Sequence, residues 1–522
     1  MKSRTIASVA VLAVAVLGPG GAAADPGGAN WSVAGQGLQN TRHQASEHQL
    51  GPGNVASLQV KWQFTTGGDV SATPAVHGGR VYVPDWAGNL YALDRETGAQ
   101  LWRASIAAAT GIPGDKSRVT PAVAGGRVYV GTQGPFGGGG RMLAFDADTG
   151  ALLWSTQVEE HPAAVITQSA LVHAGRVYVG VSSQEEGFAA LIPGYPCCSF
   201  RGSMAALDAR TGAILWKTMM VPEGYPGGAI WGSSPAVDPK RGQLYIATGN
   251  NYDVPDSVLG CVEAAGDDTA AQRACIPAEN HMDAIVALDL ATGAVRWKFE
   301  ALPFDAWTVQ CIFVIFDINE GNCPEPAGPD YDFGQAPQLF KTKDASGRPV
   351  ELVGAGQKSG QYWTVDPDTG APAWVTQAGP GGVAGGLQWG SAVDGTRVYT
   401  ANANSEAKPW TLPGGAVTNA GVWTALDAAT GELLWQAAPP HGGATSGPVT
   451  TANGVVYGCS LDPLGYMYAL DAATGAVLWE FPSGGSCLSG AAISDGTLFW
   501  GSGYSNNFFG TPNNKLYAFA LP

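Results

Sequence analysis

The chain has 522 residues, including 74 Gly and 17 Trp, and only 13% of it is charged. That is too aromatic and too poor in charge for a disordered chain, and abundant Gly with sparse Lys and Glu argues against a coiled coil or helical bundle. With 43 acidic against 27 basic residues the formal charge is −16, and no run of basic residues exists, so nucleic acid and anionic membrane are poor partners.

The first pattern in chain order is a targeting one. Lys2 and Arg4 precede an apolar stretch over residues 6–17, followed by Ala22, Ala23 and Ala24. This is the layout of a secretory signal peptide over residues 1–24, too short to cross a bilayer. It predicts an exported protein, periplasmic or secreted, with no membrane span. The eight cysteines fit that compartment, and proximity in sequence pairs them as Cys197–Cys198, Cys261–Cys275, Cys311–Cys323 and Cys459–Cys487.

Residues 25–522 read as a single domain built from one repeat. Asp94, Thr97 and Gly98 are followed by Trp102; the same Asp-x-x-Thr-Gly and Trp recur up to Asp471, Thr474, Gly475 and Trp479, seven copies in all. Asp bonds the turn, Gly supplies positive φ, and the Trp at the end of the next strand packs on a neighbouring unit. Strands such as residues 79–83, 126–130 and 175–179 bring each unit to about four strands. Trp62 is an eighth Trp without an upstream turn, and residues 515–519 are a strand that never reaches a Trp. The two ends complete one blade, which predicts an all-β, eight-bladed β-propeller closed on itself.

Four clusters stand outside the repeat. Glu185 and Glu186 end a strand, where carboxylates suit a hard cation. Cys197 and Cys198 are adjacent, a pairing that staples almost no loop. Trp231 is out of register and followed by Asn250 at a strand end, a flat ring and an amide oxygen. Asp330 and Asp332, two apart on extended chain, precede Lys358. Serine-hydrolase, zinc-protease and P-loop motifs are missing from the sequence. Together the clusters allow a planar organic cofactor beside a calcium-like ion.

In this order on these repeats, the clusters resemble those of the pyrroloquinoline quinone (PQQ)-dependent alcohol dehydrogenases, with Ser182 to Glu186 and Cys197 to Ser203 most similar to the polyvinyl-alcohol-oxidising branch. The resemblance implies a tryptophan-docking propeller carrying PQQ and Ca²⁺. It implies Glu186, Asn250 and Asp330 as metal ligands, and Asp330 also as the catalytic base. Trp231 corresponds to the floor under the quinone, Lys358 and Arg118 to residues at its carbonyls and edge, and Thr167 and Ser183 to polar contacts. Asn404, or Asn402, completes the set, with Cys197 and Cys198 beside the cofactor. Asp305 competes with Asp330 for the base role, and Ser71 stands where many relatives carry a PQQ-binding Glu. The implied reaction is oxidation of secondary alcohol groups in an alcohol, polyol or polymer, with electrons passing to a separate cytochrome c. The alternatives are a dehydrogenase of small or sugar alcohols and a secreted propeller that kept the repeat as a non-catalytic binding scaffold.

Overall fold

The computed structural model describes residues 30–313, 321–506 and 510–522. Residues 1–24, expected to be a signal peptide, lie outside them. Among the described residues, eight sheets of at least four antiparallel strands form the blades of a propeller. The first strands of successive blades touch one another around the axis, and the fourth strands, which carry the repeat tryptophans, lie outermost.

Each blade follows one local instruction. Blade 1 runs through Ala75–His77, Arg80–Pro84, Asn89–Asp94 and Gln100–Ser105. At its last hairpin, Asp94 Oδ1 accepts the backbone N–H groups of Glu96 and Thr97 and the Thr97 hydroxyl, at 3.1, 2.8 and 2.7 Å. The turn therefore carries its own hydrogen bonds. Gly98 adopts φ +71°, and a Cβ there would lie 2.7 Å from the Trp62 ring of blade 8. Both the backbone conformation and the ring contact demand glycine. The same Gly–Trp seam joins Gly150 to Trp102, Gly212 to Trp154, Gly293 to Trp216 and Gly370 to Trp297, and continues through Gly431 on Trp374 to Gly475 on Trp435. Ring N–H groups reinforce it by donating to the next blade: Trp102 to the Ala147 carbonyl at 3.0 Å, Trp435 to that of Ala472 at 3.1 Å.

The remaining junction is the closure. Gln59–Thr65 pairs antiparallel with Lys515–Ala520, so one strand from near the start of the described chain completes a sheet made by its end. Here Trp479 meets no Asp-x-x-Thr-Gly turn and donates instead to the Leu58 carbonyl at 3.2 Å. The four disulfides pair as sequence proximity predicts. Two of them, Cys261–Cys275 and Cys311–Cys323, lie in the longest insertions, which form short helices such as Asp256–Ala265 and Thr269–Ala274.

Candidate functional site

Segments leading into the first strands converge on the axis around a cavity of about 50 Å³. Its wall includes Ser71, Arg118, Thr167, Ser233 and Trp389, each brought from a different part of the ring. The Arg118 guanidinium stacks 4.4 Å from the Trp389 ring centre and 5.7 Å from that of Trp86. Trp389 meets Trp231 edge-on at 5.2 Å, and the Thr167 hydroxyl donates to the Trp231 carbonyl at 3.1 Å. Trp231 thus links the channel to a second feature, a knot of buried carboxylates.

That knot is organised by the loop bearing Asp330. Asp330 adopts φ +58°, a conformation unfavourable to a side chain bearing a Cβ. Asp305 holds it there: its two carboxylate oxygens accept the backbone N–H groups of Asp330 and Tyr331 at 3.1 and 2.8 Å. Asp332 Oδ1 accepts the Asn250 N–H at 2.7 Å, and its Oδ2 accepts the Trp231 ring N–H at 2.8 Å. Lys358 Nζ lies 2.7 Å from Asp330 Oδ1, 3.2 Å from Asp332 Oδ2 and 5.5 Å from the Trp231 ring centre. Asp330 Oδ2 is buried and finds no donor among the described residues.

The electrostatics follow from this crowding. Burial, with repulsion from Asp332, Glu186 and Asp305, raises the Asp330 carboxyl well above its usual range although Lys358 opposes it. Burial also pushes Glu186 up to about 7, again against Lys358 and with Asp332 and Asp305 adding to the rise. Asp305 reaches about 7 by burial, moderated by the Tyr331 N–H. Asp283, behind Asp305, is raised well above normal by burial and by Asp305 itself. Lys358 is held charged: against the burial that would lower it, Asp330, Asp332 and Glu186 raise it strongly. An acidic knot with one ammonium at its centre suits a proton-accepting step or a hard cation.

Several sequence-predicted residues meet here. Asp330, Lys358, Trp231 and Asn250 are joined directly or through Asp332, and Glu186 couples to them by charge. Asn250 donates its amide hydrogens to the carbonyls of Asn251 and Trp307, both at 2.8 Å, which leaves its Oδ1 for a ligand. No three His, Cys, Asp or Glu side chains among the described residues are already gathered at metal-ligating distance. The orphaned Asp330 Oδ2 and the unspent Asn250 oxygen nevertheless fit a hard cation beside Glu186.

Others are placed differently. The Glu185–Glu186 pair is split in function: Glu185 is fully buried and accepts the N–H groups of Ser199 and Phe200 and the Tyr195 hydroxyl, anchoring the Cys197–Cys198 loop. That cysteine pair is half-buried on the loop and does not line the channel cavity. Ser183 shares a 3.2 Å hydrogen bond with the Tyr252 hydroxyl and also accepts the Glu185 N–H, so it braces the turn into the helix Glu185–Leu191. Asn404 is not brought to the cavity at all. Its amide donates to the carbonyls of Lys408, Asn419 and Ala420 and accepts the Lys408 N–H, because the loop after Arg397–Asn402 needs that bracing. Trp389, with φ +63°, is a site residue that the sequence motifs do not single out, although like Trp231 it is a tryptophan outside the repeat register.

Known proteins place the chain. A PQQ-type repeat family model described as outer membrane protein assembly factor BamB matches residues 53–299 and 358–520. A polyvinylalcohol dehydrogenase of Pseudomonas sp is 32% identical over 453 residues, covering 83% of this chain and 64% of that protein. One from Sphingopyxis sp. (strain 113P3) is 33% identical over 432 residues, covering 79% of this chain and 59% of that one. The chain thus spans about three-fifths of the length of these relatives. Among solved structures, the quinohemoprotein alcohol dehydrogenase from Comamonas testosteroni superposes with TM-score 0.68 at 21% identity, over 94% of this chain and 80% of that one. A europium-containing methanol dehydrogenase gives 0.69 at 18% identity, over 95% and 99%. These two share the fold.

Proposed function

Because the chain belongs to the PQQ-type quinoprotein alcohol dehydrogenase family, we propose that the Trp231–Asp330 site oxidises an alcohol, with PQQ and a calcium ion as its cofactors. The observation that carries this reading is Asp330 Oδ2: a buried carboxylate oxygen without a donor, on a backbone held at positive φ, beside the Trp231 ring. Glu186, Asn250 Oδ1 and Asp330 would hold the cation. Trp231 would lie under the quinone, with Lys358 and Arg118 toward its oxygens and Thr167 fixing the Trp231 backbone. Bound there, PQQ supplies a two-electron acceptor and the cation a Lewis acid.

The chain's own residues do the rest. Asp330 Oδ1 is occupied by the Lys358 ammonium, so its Oδ2 is the atom that accepts the alcohol proton. Asp305 keeps that oxygen aimed by clamping the backbone of Asp330 and Tyr331. Asp332 holds the Trp231 ring in place, and burial excludes water from the knot. The polyvinylalcohol dehydrogenases among the relatives support a secondary alcohol of a polymer or polyol as substrate. A separate cytochrome c is the electron acceptor in this reading. Four disulfides support work outside the cytoplasm, and among the described residues no helix is long and apolar enough to cross a membrane.

The test is reconstitution. Purified protein receives PQQ with Ca²⁺, and in a parallel arm with Eu³⁺, the metal of the europium-containing methanol dehydrogenase that shares this fold. Quinone absorbance should shift, and a redox dye should be reduced on adding polyvinyl alcohol or a small secondary alcohol. An unchanged spectrum in both arms would leave the non-catalytic scaffold as the reading.

A further inference from the structure

The channel is stopped at one end by chain that belongs to no blade. Residues 31–50 run across it and bond the first strands of the ring in turn. Trp31 exchanges two backbone bonds with Val76, at 2.8 and 2.9 Å. Val123 donates to Ser32, Val237 to Leu38, Leu339 to Gln39 and Val393 to Thr41, at 2.8, 2.7, 3.0 and 2.8 Å. Thr451 donates to Arg42 at 3.0 Å, and Gln44 reaches the Ile493 carbonyl at 2.9 Å. Seven of the eight blades are thereby tied to one floor.

Arg42 is the residue this floor sends into the cavity. It is 2% exposed and adopts φ +51°, an unfavourable conformation for a side chain of its size. Only one of its donors is used, Nη2 to the Trp389 carbonyl at 3.3 Å, while Nε and Nη1 are buried without an acceptor among the described residues. Burial pushes its pKa down to about 9, and no carboxylate raises it again. A Cβ on Gly390 would collide with the guanidinium, so the facing wall is cut back to admit it. Burying an unpaired charge is strongly unfavourable, and a structural residue here would be apolar.

The rest of the cavity matches. Its lining contains no Asp or Glu. The Ser169 and Ser233 hydroxyl oxygens already accept the N–H groups of Thr120 and Ala336, and Ser71 Oγ accepts the Trp86 ring N–H, so their hydrogens remain to donate inward. Arg118 contributes a second cation on the face of Trp389. A chamber whose polar lining is hydroxyls and two guanidiniums, with no acid, recognises an anion with planar oxygen pairs.

We infer that Arg42 and the cavity above it form a carboxylate receptor at the closed end of the channel. Two sources share this chemistry: a carboxylate group of PQQ itself, in which case the inference rests on the function proposed above, or a free small carboxylate such as oxalate. Arg42 is then a ligand-binding residue supplied by the floor, outside the propeller repeat.

The experiment uses the full chain and two variants, Arg42→Met and Arg42→Lys, with binding readouts only. PQQ affinity is read from quenching of tryptophan fluorescence at several salt concentrations, and oxalate binding from the rise in unfolding temperature over a chloride control of equal ionic strength. In wild type at least one ligand binds. If the cofactor is the source, Arg42→Met weakens PQQ at least tenfold and flattens its salt dependence, with Arg42→Lys intermediate. If the source is a free carboxylate, Arg42→Met abolishes the oxalate response and leaves PQQ affinity unchanged. In both cases ligand-free Arg42→Met melts no lower than wild type, because an unpaired buried charge has been removed. Oxalate binding without PQQ binding would sink the proposed function and keep the receptor. Arg42→Met that keeps both responses, a ligand-free protein that it destabilises, or a wild type that binds neither ligand would overturn it.

Discussion

Trp231 and Asp332 are tied by one ring N–H bond of 2.8 Å, and Asp332 is pinned from its other oxygen by the Asn250 N–H. The flat ring and the acid loop are therefore one rigid unit. Trp231→Phe keeps an aromatic face but removes the donor to a carboxylate, a bond worth about 2 kcal/mol. Urea unfolding should show a loss of about that size. Trp231→Ala should in addition abolish the fluorescence response to PQQ. A Trp231→Phe variant of unchanged stability would mean that Lys358 and the Asn250 N–H hold Asp332 without the ring.

Asp330 and Asp305 share the loop but not the role. Asp330→Asn removes the proton acceptor, and alcohol-dependent dye reduction should fall by about 10²-fold or more. PQQ binding, read by absorbance, should persist. Asp305→Asn should fall less, because one oxygen still accepts a loop N–H. The reverse order of activities would make Asp305 the base.

The raised carboxyls set a pH dependence. Glu186 and Asp305 titrate near 7 in the folded protein, against about 4 in an unfolded chain. Between those values the folded state holds more protons than the unfolded one, so stability falls as pH rises. The unfolding temperature of metal-free protein should drop from pH 5 to pH 8. Added Ca²⁺ should restore it most at pH 8, where the carboxylates are free to ligate. Glu186→Gln should flatten part of the slope; a slope that stays the same would remove Glu186 from the titrating set.

The blade seams make a separate prediction. Gly293 has φ +75°, and a Cβ there would sit 2.5 Å from the Trp216 ring. Gly242 has φ +62° with open space around it. Gly242→Ala should cost only the left-handed backbone, about 1 kcal/mol. Gly293→Ala should cost clearly more in chemical denaturation, since the ring cannot withdraw without opening the interface between blades 3 and 4. Equal losses would mean the seam can yield.

The repeat made the ring legible because it obeys a local rule: one Asp, one Gly and one Trp fix each turn and its neighbour. The seven turns, eight tryptophans and disulfide pairs could be read from spacing alone. Trp231 was visible because it broke that register. Trp389 broke it too, but only the fold reveals the two rings in contact. Asp305 appeared in sequence as a rival base, and only the fold shows its two oxygens accepting the N–H groups of Asp330 and Tyr331. Asn404 shows what sequence leaves open, because an asparagine after a strand reads the same whether it faces a ligand or, as its amide does here, bonds its own loop. Arg42 was invisible, since nothing in residues 31–50 resembles the repeat and its meaning lies in contacts across the whole ring.

The pairing of Gln59–Thr65 with Lys515–Ala520 also sets a timetable. A chain emerging from synthesis or export can fold hairpins and adjacent blades as they appear, because those contacts are local. The chamber is different: its wall draws on residues from Arg42 to Leu488, and the ring around it shuts only when the last strand arrives. Contacts so far apart in sequence form late. A ribosome-stalled or clipped chain should therefore accumulate as stacked blades unable to retain a ligand, and competence should appear in a single step with the final strand.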